Sequence, residues 1–191
     1  MNVDLSDYSP RNFDRGAGKV KEVLWIMISL LLFRLCPFVF SPLKRGVLRM
    51  FGAKVGSGVV IKPQVKITFP WKLAIGNCVW LGEDCWILNL ERVEIADNVC
   101  ISQRAFLCTG NHDYGTPAFD LVVKPISIEA GAWLGAASFV GPGVQIGTHA
   151  VLAAGSVASR NLEPWMIYRG NPAAPVKHRE IPSTSNCVGR C

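Results

Sequence analysis

Apolar residues along this chain return every six positions rather than every two or every 3.6. From Ile128 the series runs Ile128, Leu134, Val140, Ile146 and Leu152. Upstream it runs Val55, Ile61, Ile67, then Ile75, Leu81, Ile87, then Ile95, Ile101, Leu107, so all fourteen positions are Val, Ile or Leu. Four residues after its start, a small or β-branched residue follows in eleven of the fourteen hexads (Val59, Val65, Val79, Cys85, Val99, Ala105, Ala132, Ser138, Val144, Ala150, Ser156). The exceptions, Trp71, Glu91 and Asn111, each fall in the last hexad before the rhythm breaks. Neither an α-helix nor a two-faced strand has this period. A three-sided solenoid does: each hexad supplies one short strand and one corner, with the aliphatic residue filling the prism. The spacing predicts an all-β solenoid of about five three-hexad coils, 55–72, 75–92, 95–112, 128–145 and 146–163. These are interrupted by Leu73-Ala74, Val93-Glu94 and the residues 113–127. Glycine directly after the aliphatic residue, as at Gly135, Gly141 and Gly147, is expected to let the backbone turn.

Three regions follow. Residues 1–54 form an N-terminal extension, 55–163 the repeat with its loop 113–127, and 164–191 a C-terminal cap and tail. In the extension, Val23 to Phe40 is apolar nearly all round and predicts a helix and turn. Ser41-Pro42 then reads as an N-cap and first-turn pair opening a basic helix to Phe51. Two readings stand side by side for this segment: a cap over the open edge of the first coil, or a monotopic patch with Lys44, Arg45, Arg49 and Lys54 held against an anionic membrane surface. Its longest uncharged run, Val23 to Phe33, is short of the roughly 20 residues that span a bilayer. Asn171 to Ile181 is expected to cap the other end.

Half of the 191 residues are hydrophobic, enough for a sizeable core. Twenty Lys and Arg against 14 Asp and Glu give +6, which favours an anionic partner. Aromatic residues are not interleaved with the basic ones as a base-stacking surface requires, so nucleic acid is not expected. Seven cysteines without a C-x-x-C pair indicate neither a disulfide framework nor a zinc site, and a reducing, cytoplasmic setting fits. Three histidines occur. His112 ends the third coil just before the long excursion, where a loop in a compact repeat protein is usually functional; His149 and His178 have no motif around them.

Over about residues 46–180 the sequence resembles the hexapeptide-repeat acyltransferases, whose coils wind as a left-handed parallel β-helix. The nearer resemblance is to sugar O-acetyltransferases of the maltose, galactoside and nodulation type and the colanic-acid and exopolysaccharide group. It is carried by Phe51-Gly52-Ala53-Lys54-Val55-Gly56, Trp86-Ile87-Leu88-Asn89, Thr109-Gly110-Asn111-His112-Asp113 and Tyr168-Arg169-Gly170-Asn171-Pro172-Ala173. The resemblance implies an acetyl-CoA-dependent O-acetyltransferase acting on a sugar or lipid-linked saccharide, without a metal, as a homotrimer in the cytoplasm or at the inner face of the membrane. It implies His112 as general base in a direct transfer, with Asn89, Asn111 and Asp113 toward the acceptor. Asn89 stands where the galactoside-type enzymes carry an acidic residue. Trp133, Ala136, Ala154, Ser159, Arg160 and Lys177 would line the cofactor groove. Since His112 and Trp133 belong to different prism faces, a cleft between subunits is expected to join them. A serine or antibiotic acetyltransferase of the same fold, and a non-enzymatic scaffold, are the alternatives. A nucleophilic Cys108 has no activating pattern around it, and a structural thiol is expected.

Overall fold

The structure is a computed structural model, which describes Tyr8, residues 13–35 and residues 40–182. Short strands stack into three parallel sheets that form the sides of a prism. Face one is β1 (Lys54–Val55), β4 (Leu73–Ile75), β7 (Val93–Ile95), β12 (Ile126–Ile128) and β15 (Gln145–Ile146). Face two is β2 (Val60–Ile61), β5 (Trp80–Leu81), β8 (Cys100–Ile101), β13 (Trp133–Leu134) and β16 (Val151–Leu152), continued by β18 (Met166–Gly170) and the antiparallel β19 (Ala173–His178). Face three is β3 (Lys66–Ile67), β6 (Trp86–Leu88), β9 (Phe106–Cys108), β14 (Phe139–Val140) and β17 (Val157–Ala158). Five coils are complete, and a sixth turn begins where Leu162 bridges to Ile146 and β18 pairs with β16.

The period of six is the inside of the prism. The aliphatic positions after the half-buried Val55 and the small residues four places later are buried, Ile61, Leu81, Ile87, Ile101, Leu134 and Leu152 completely so. Ala158 occupies the corresponding position in the last hexad of coil five and is buried as well.

The expected role of glycine is corrected. The left-handed turn falls three residues after the aliphatic position, at Gly58, Gln64, Cys78, Asp84, Asn98, Arg104, Gly131, Ala137, Gly143, His149 and Gly155. The glycine directly after the aliphatic residue is needed for close approach at Gly82, Gly135 and Gly147, while at Gly141 a Cβ would make ordinary contact. A Cβ on Gly135 would lie 2.5 Å from the Ala154 nitrogen of the next coil, and one on Gly82 2.5 Å from the Ser102 carbonyl carbon.

The two N-terminal helices are α1 (Lys19–Leu35) and α2 (Ser41–Met50). They close the first coil, whose outward carbonyls have no coil beneath them. Arg49 donates to the carbonyls of Val55 and Gly56 (2.7–2.9 Å), Arg45 to Val59 (3.0 Å), and Lys44 to Ile61 (3.3 Å). Trp25 Nε1 donates to Ile67 (2.9 Å). Each buried carbonyl left unpaired would cost about 1–3 kcal/mol, so these donors stabilise the open end. The lipid-facing reading of Lys44, Arg45 and Arg49 is corrected accordingly: Lys44 is fully buried, and all three are held by main-chain oxygens. The expected N-cap also moves by one residue. Phe40 occupies it, and the Ser41 hydroxyl instead accepts from the Ile61 amide at 3.0 Å. Helix α1 is buried along one side only, through Trp25 and Phe33. Among the described residues no helix is long and apolar enough to cross a membrane.

At the far end, Trp165 lies between the rings of His149 (4.2 Å) and His178 (6.3 Å). Arg179 donates to the carbonyls of Gly131 and His149. The tail from Ser183, with Cys187 and Cys191, lies outside the described residues.

Candidate active site

All the departures from the hexad rhythm stack on one edge of the prism, between face three and face one. In coil one this edge is a 3-10 turn, Pro70–Lys72; in coil two it is residues 89–92; in coil three it is the excursion after Cys108. Consecutive corners are stapled by buried side chains. Asn89 accepts from the amides of Thr68 (3.1 Å) and Phe69 (2.9 Å) and donates to the Phe69 carbonyl (2.6 Å). The Thr109 hydroxyl donates to the Leu88 carbonyl and accepts from the Glu91 amide, both at 3.0 Å.

The excursion is ordered. Strand β10 (Gly110–His112) pairs antiparallel with β11 (Leu121–Val123), His112 opposite Leu121, and the Asp113 amide donates to the Asp120 carbonyl at 2.8 Å. Between them Asp113 turns the chain, its carboxylate accepting from the Gly115 amide (2.9 Å). Phe119 adopts φ +52°, and its carbonyl oxygen lies 2.8 Å from His112 Nδ1 while its ring stacks on the imidazole at 4.5 Å. A carbonyl can only accept, so Nδ1 carries the proton and Nε2 holds the free lone pair. The ring is thus fixed in the tautomer in which Nε2 can take a proton.

The N-terminal segment reaches the same edge. Tyr8 lies 5.7 Å from the His112 ring, Phe13 stacks on Phe69, and the carbonyl of Arg15 accepts from Trp71 Nε1 at 2.7 Å. Arg15 in turn forks onto Glu22 at 2.6–2.9 Å, a pair that holds the Glu22 carboxyl below its ordinary range.

Asn111 points to the other side of β10, since neighbours on a strand alternate. There it lines a groove of about 360 Å³ with Val122, Lys124, Phe139, Pro142 and Ser159. Phe139 ends an outward aromatic ladder through Phe106 (5.4 Å) to Trp86 (4.7 Å). The structure therefore brings Asn111 and Ser159 together. It places Ala136 and Ala154 in adjacent coils at a different edge, where the Gly155 amide donates to the Ala136 carbonyl at 2.8 Å. Trp133 is on face two, exposed, its Nε1 bonded to the Ser102 hydroxyl at 2.9 Å. Arg160 is exposed beside Ser159, and Lys177 is exposed on β19 opposite Ile167. Asn89 is completely buried and bonded to main chain, so its side chain orders the corner beneath the hairpin. Burial raises the Cys108 pKa and its thiol donates to the Gly110 carbonyl, the setting of a structural thiol; burial pushes Cys85 up to about 12. Phe119, Tyr8 and Lys124 are not evident from sequence, and Thr109 is visible only as part of its motif. Phe119 acts through its carbonyl, which leaves no mark on residue type.

A family profile described as the hexapeptide repeat of succinyl-transferase matches residues 125–159. The Escherichia coli K12 protein named as the colanic acid biosynthesis acetyltransferase WcaF is 40% identical over 177 residues, 92% of this chain and 97% of that one. Galactoside O-acetyltransferase of the same organism is 24% identical over 70% of this chain and 68% of its own length. The crystal structure of galactoside acetyltransferase with coenzyme A superposes with a TM-score of 0.77 at 19% identity, over 94% of this chain and 92% of that one, an agreement of fold. The chain belongs to the hexapeptide-repeat acetyltransferases. Within them, WcaF matches it along nearly its whole length.

Proposed function

We propose that the protein transfers an acetyl group from acetyl-CoA to a sugar hydroxyl in the synthesis of an exopolysaccharide or other cell-surface glycan. The observation that carries this reading is His112, with Nδ1 tied to the Phe119 carbonyl and Nε2 free to serve as base. Nε2 takes the proton of the acceptor hydroxyl as its oxygen bonds to the thioester carbonyl carbon. The tetrahedral intermediate then collapses, the carbon–sulfur bond breaks, and the imidazolium returns the proton to the thiolate of CoA. No covalent enzyme intermediate is needed. The WcaF match supports a polysaccharide acceptor, and the solved relative with coenzyme A supports the donor.

Acetyl-CoA would lie along Ala136 and Ala154, whose short side chains admit the pantetheine arm, with Trp133 shielding it and Ser159, Arg160 and Lys177 toward its polar groups. Asn111 and Asp113 stand on the hairpin that carries the base. Since Trp133 and His112 lie on different sides of one prism, a homotrimer with clefts between neighbouring prisms brings them together. The setting is the cytoplasm, at an anionic inner membrane surface when the acceptor is lipid-linked.

An acetyl-CoA consumption assay across free sugars, lipid-linked oligosaccharides, serine and chloramphenicol tests the reading. Turnover with a saccharide is expected. Turnover with serine or chloramphenicol alone would overturn it. Reassembling His112→Ala subunits with Ala154→Trp subunits tests the shared cleft, since mixed trimers regain activity that neither parent has.

A further inference from the structure

Helix α1 is apolar on both of its sides, and the fold covers one. At about 100° per residue, Trp25 and Phe33 share a sector with Glu22 and turn toward coil one. The opposite sector carries Val20, Val23, Leu24, Met27 and Leu31, with Ile26 and Leu30 on its flank. These seven are between 48% and 75% exposed. A helix apolar all round is ordinarily buried, so the bare stripe calls for a second apolar medium.

Three observations select that medium. First, the stripe has no acid within it, and the exposed Lys19 stands at the start of its helix. The helix's single acid, Glu22, is buried inward on Arg15. An apolar stripe without acids and with a cation at one end suits the boundary between acyl chains and anionic headgroups. Second, α1 is seventeen residues long and is tied to coil one at Trp25 and at Phe33, which suits an interfacial element and not a span. Third, a groove of about 430 Å³ between α1 and coil one, lined by Leu30, Phe33, Val65 and Ile67, continues the apolar surface.

We infer that the outward face of α1 seats the protein on an anionic lipid bilayer, with Val20, Leu24, Met27 and Leu31 in the acyl boundary, while α2 acts only as the cap of coil one. This rests on the membrane setting proposed above and assigns it to one surface. With coils spaced about 4.8 Å apart, His112 in coil three stands about 10 Å above the coil that α1 closes. A saccharide tethered to the same leaflet comes within reach.

The test is co-sedimentation of the full chain with vesicles of phosphatidylcholine alone and of phosphatidylcholine mixed with phosphatidylglycerol. The protein is expected to pellet with the mixed vesicles. The triple variant Leu24→Gln, Met27→Gln, Leu31→Gln is expected to lose partitioning by about 100-fold, with its melting temperature, sedimentation velocity and turnover of a soluble acceptor unchanged. Arg45→Gln is expected to lower the melting temperature and leave partitioning of the folded protein intact. Failure of the wild type to pellet, equal pelleting of the triple variant, or dissociation of that variant into smaller species would each overturn the inference, the last by making the stripe a contact between copies. If acetyl transfer is absent while the vesicle result holds, the proposed reaction falls and the attachment stands.

Discussion

The three edges of the prism are built differently. From face one to face two, and from face two to face three, each complete coil turns through four residues with a left-handed residue in third place, as at Cys78, Asp84, Asn98, Arg104 and His149. From face three to face one, coils one to three abandon that corner. Phe69 and Trp71 pack there, Asn89 and Thr109 staple one corner to the next, and the β10–β11 hairpin leaves the prism with His112. The repeated edges are set by what fits between coils. The irregular edge is set by side-chain hydrogen bonds, and the candidate chemistry sits on it. Regularity gives the protein a rigid post, and the exceptions, stacked in register, give it a platform.

Substitutions can break this contrast. The largest stability loss is expected at a regular corner, where Gly135→Ala forces a Cβ to within 2.5 Å of the Ala154 nitrogen; about 3 kcal/mol of denaturant stability should go. Asn89→Ala leaves the Phe69 amide without a partner in a buried site, while the Phe69 carbonyl keeps the Lys72 amide. It should cost about 2 kcal/mol and weaken acetyl transfer in the surviving folded protein, because the corner supports the hairpin. A loss of stability with transfer unchanged would separate the edge from the site. The smallest effect has the opposite sign. Arg104 is exposed at φ +57° with only a long ion pair to Asp84, so Arg104→Gly should stabilise by about 0.5 kcal/mol and leave activity alone.

The same contrast explains what could be read from the sequence. The period of six was legible because interior volume constrains residue type at two positions of every hexad, as Ile87 and Ala105 show. The corner was misassigned because its left-handed position tolerates Gln, Cys, Asp, Asn, Arg, Ala and His, which leaves no compositional mark, while the visible glycines answer to a neighbouring coil. On the irregular edge His112 was found by its motif and its place before a long loop. Its orienting partner is a main-chain oxygen, invisible in residue identity. Asn89 and the α2 cations fit either a ligand or a carbonyl by type alone. Only the fold, which sets Asn89 beside Phe69 and Arg49 beside Val55, decides between them.

The most direct measurement is the steady-state acetyl-transfer rate of His112→Ala against the wild type, with CoA affinity and melting temperature measured on the same samples. The account predicts a fall in rate of about 10²- to 10⁴-fold, with CoA binding and thermal stability retained, since the side chain stands on the hairpin outside the prism core. Near wild-type turnover in that variant would contradict it.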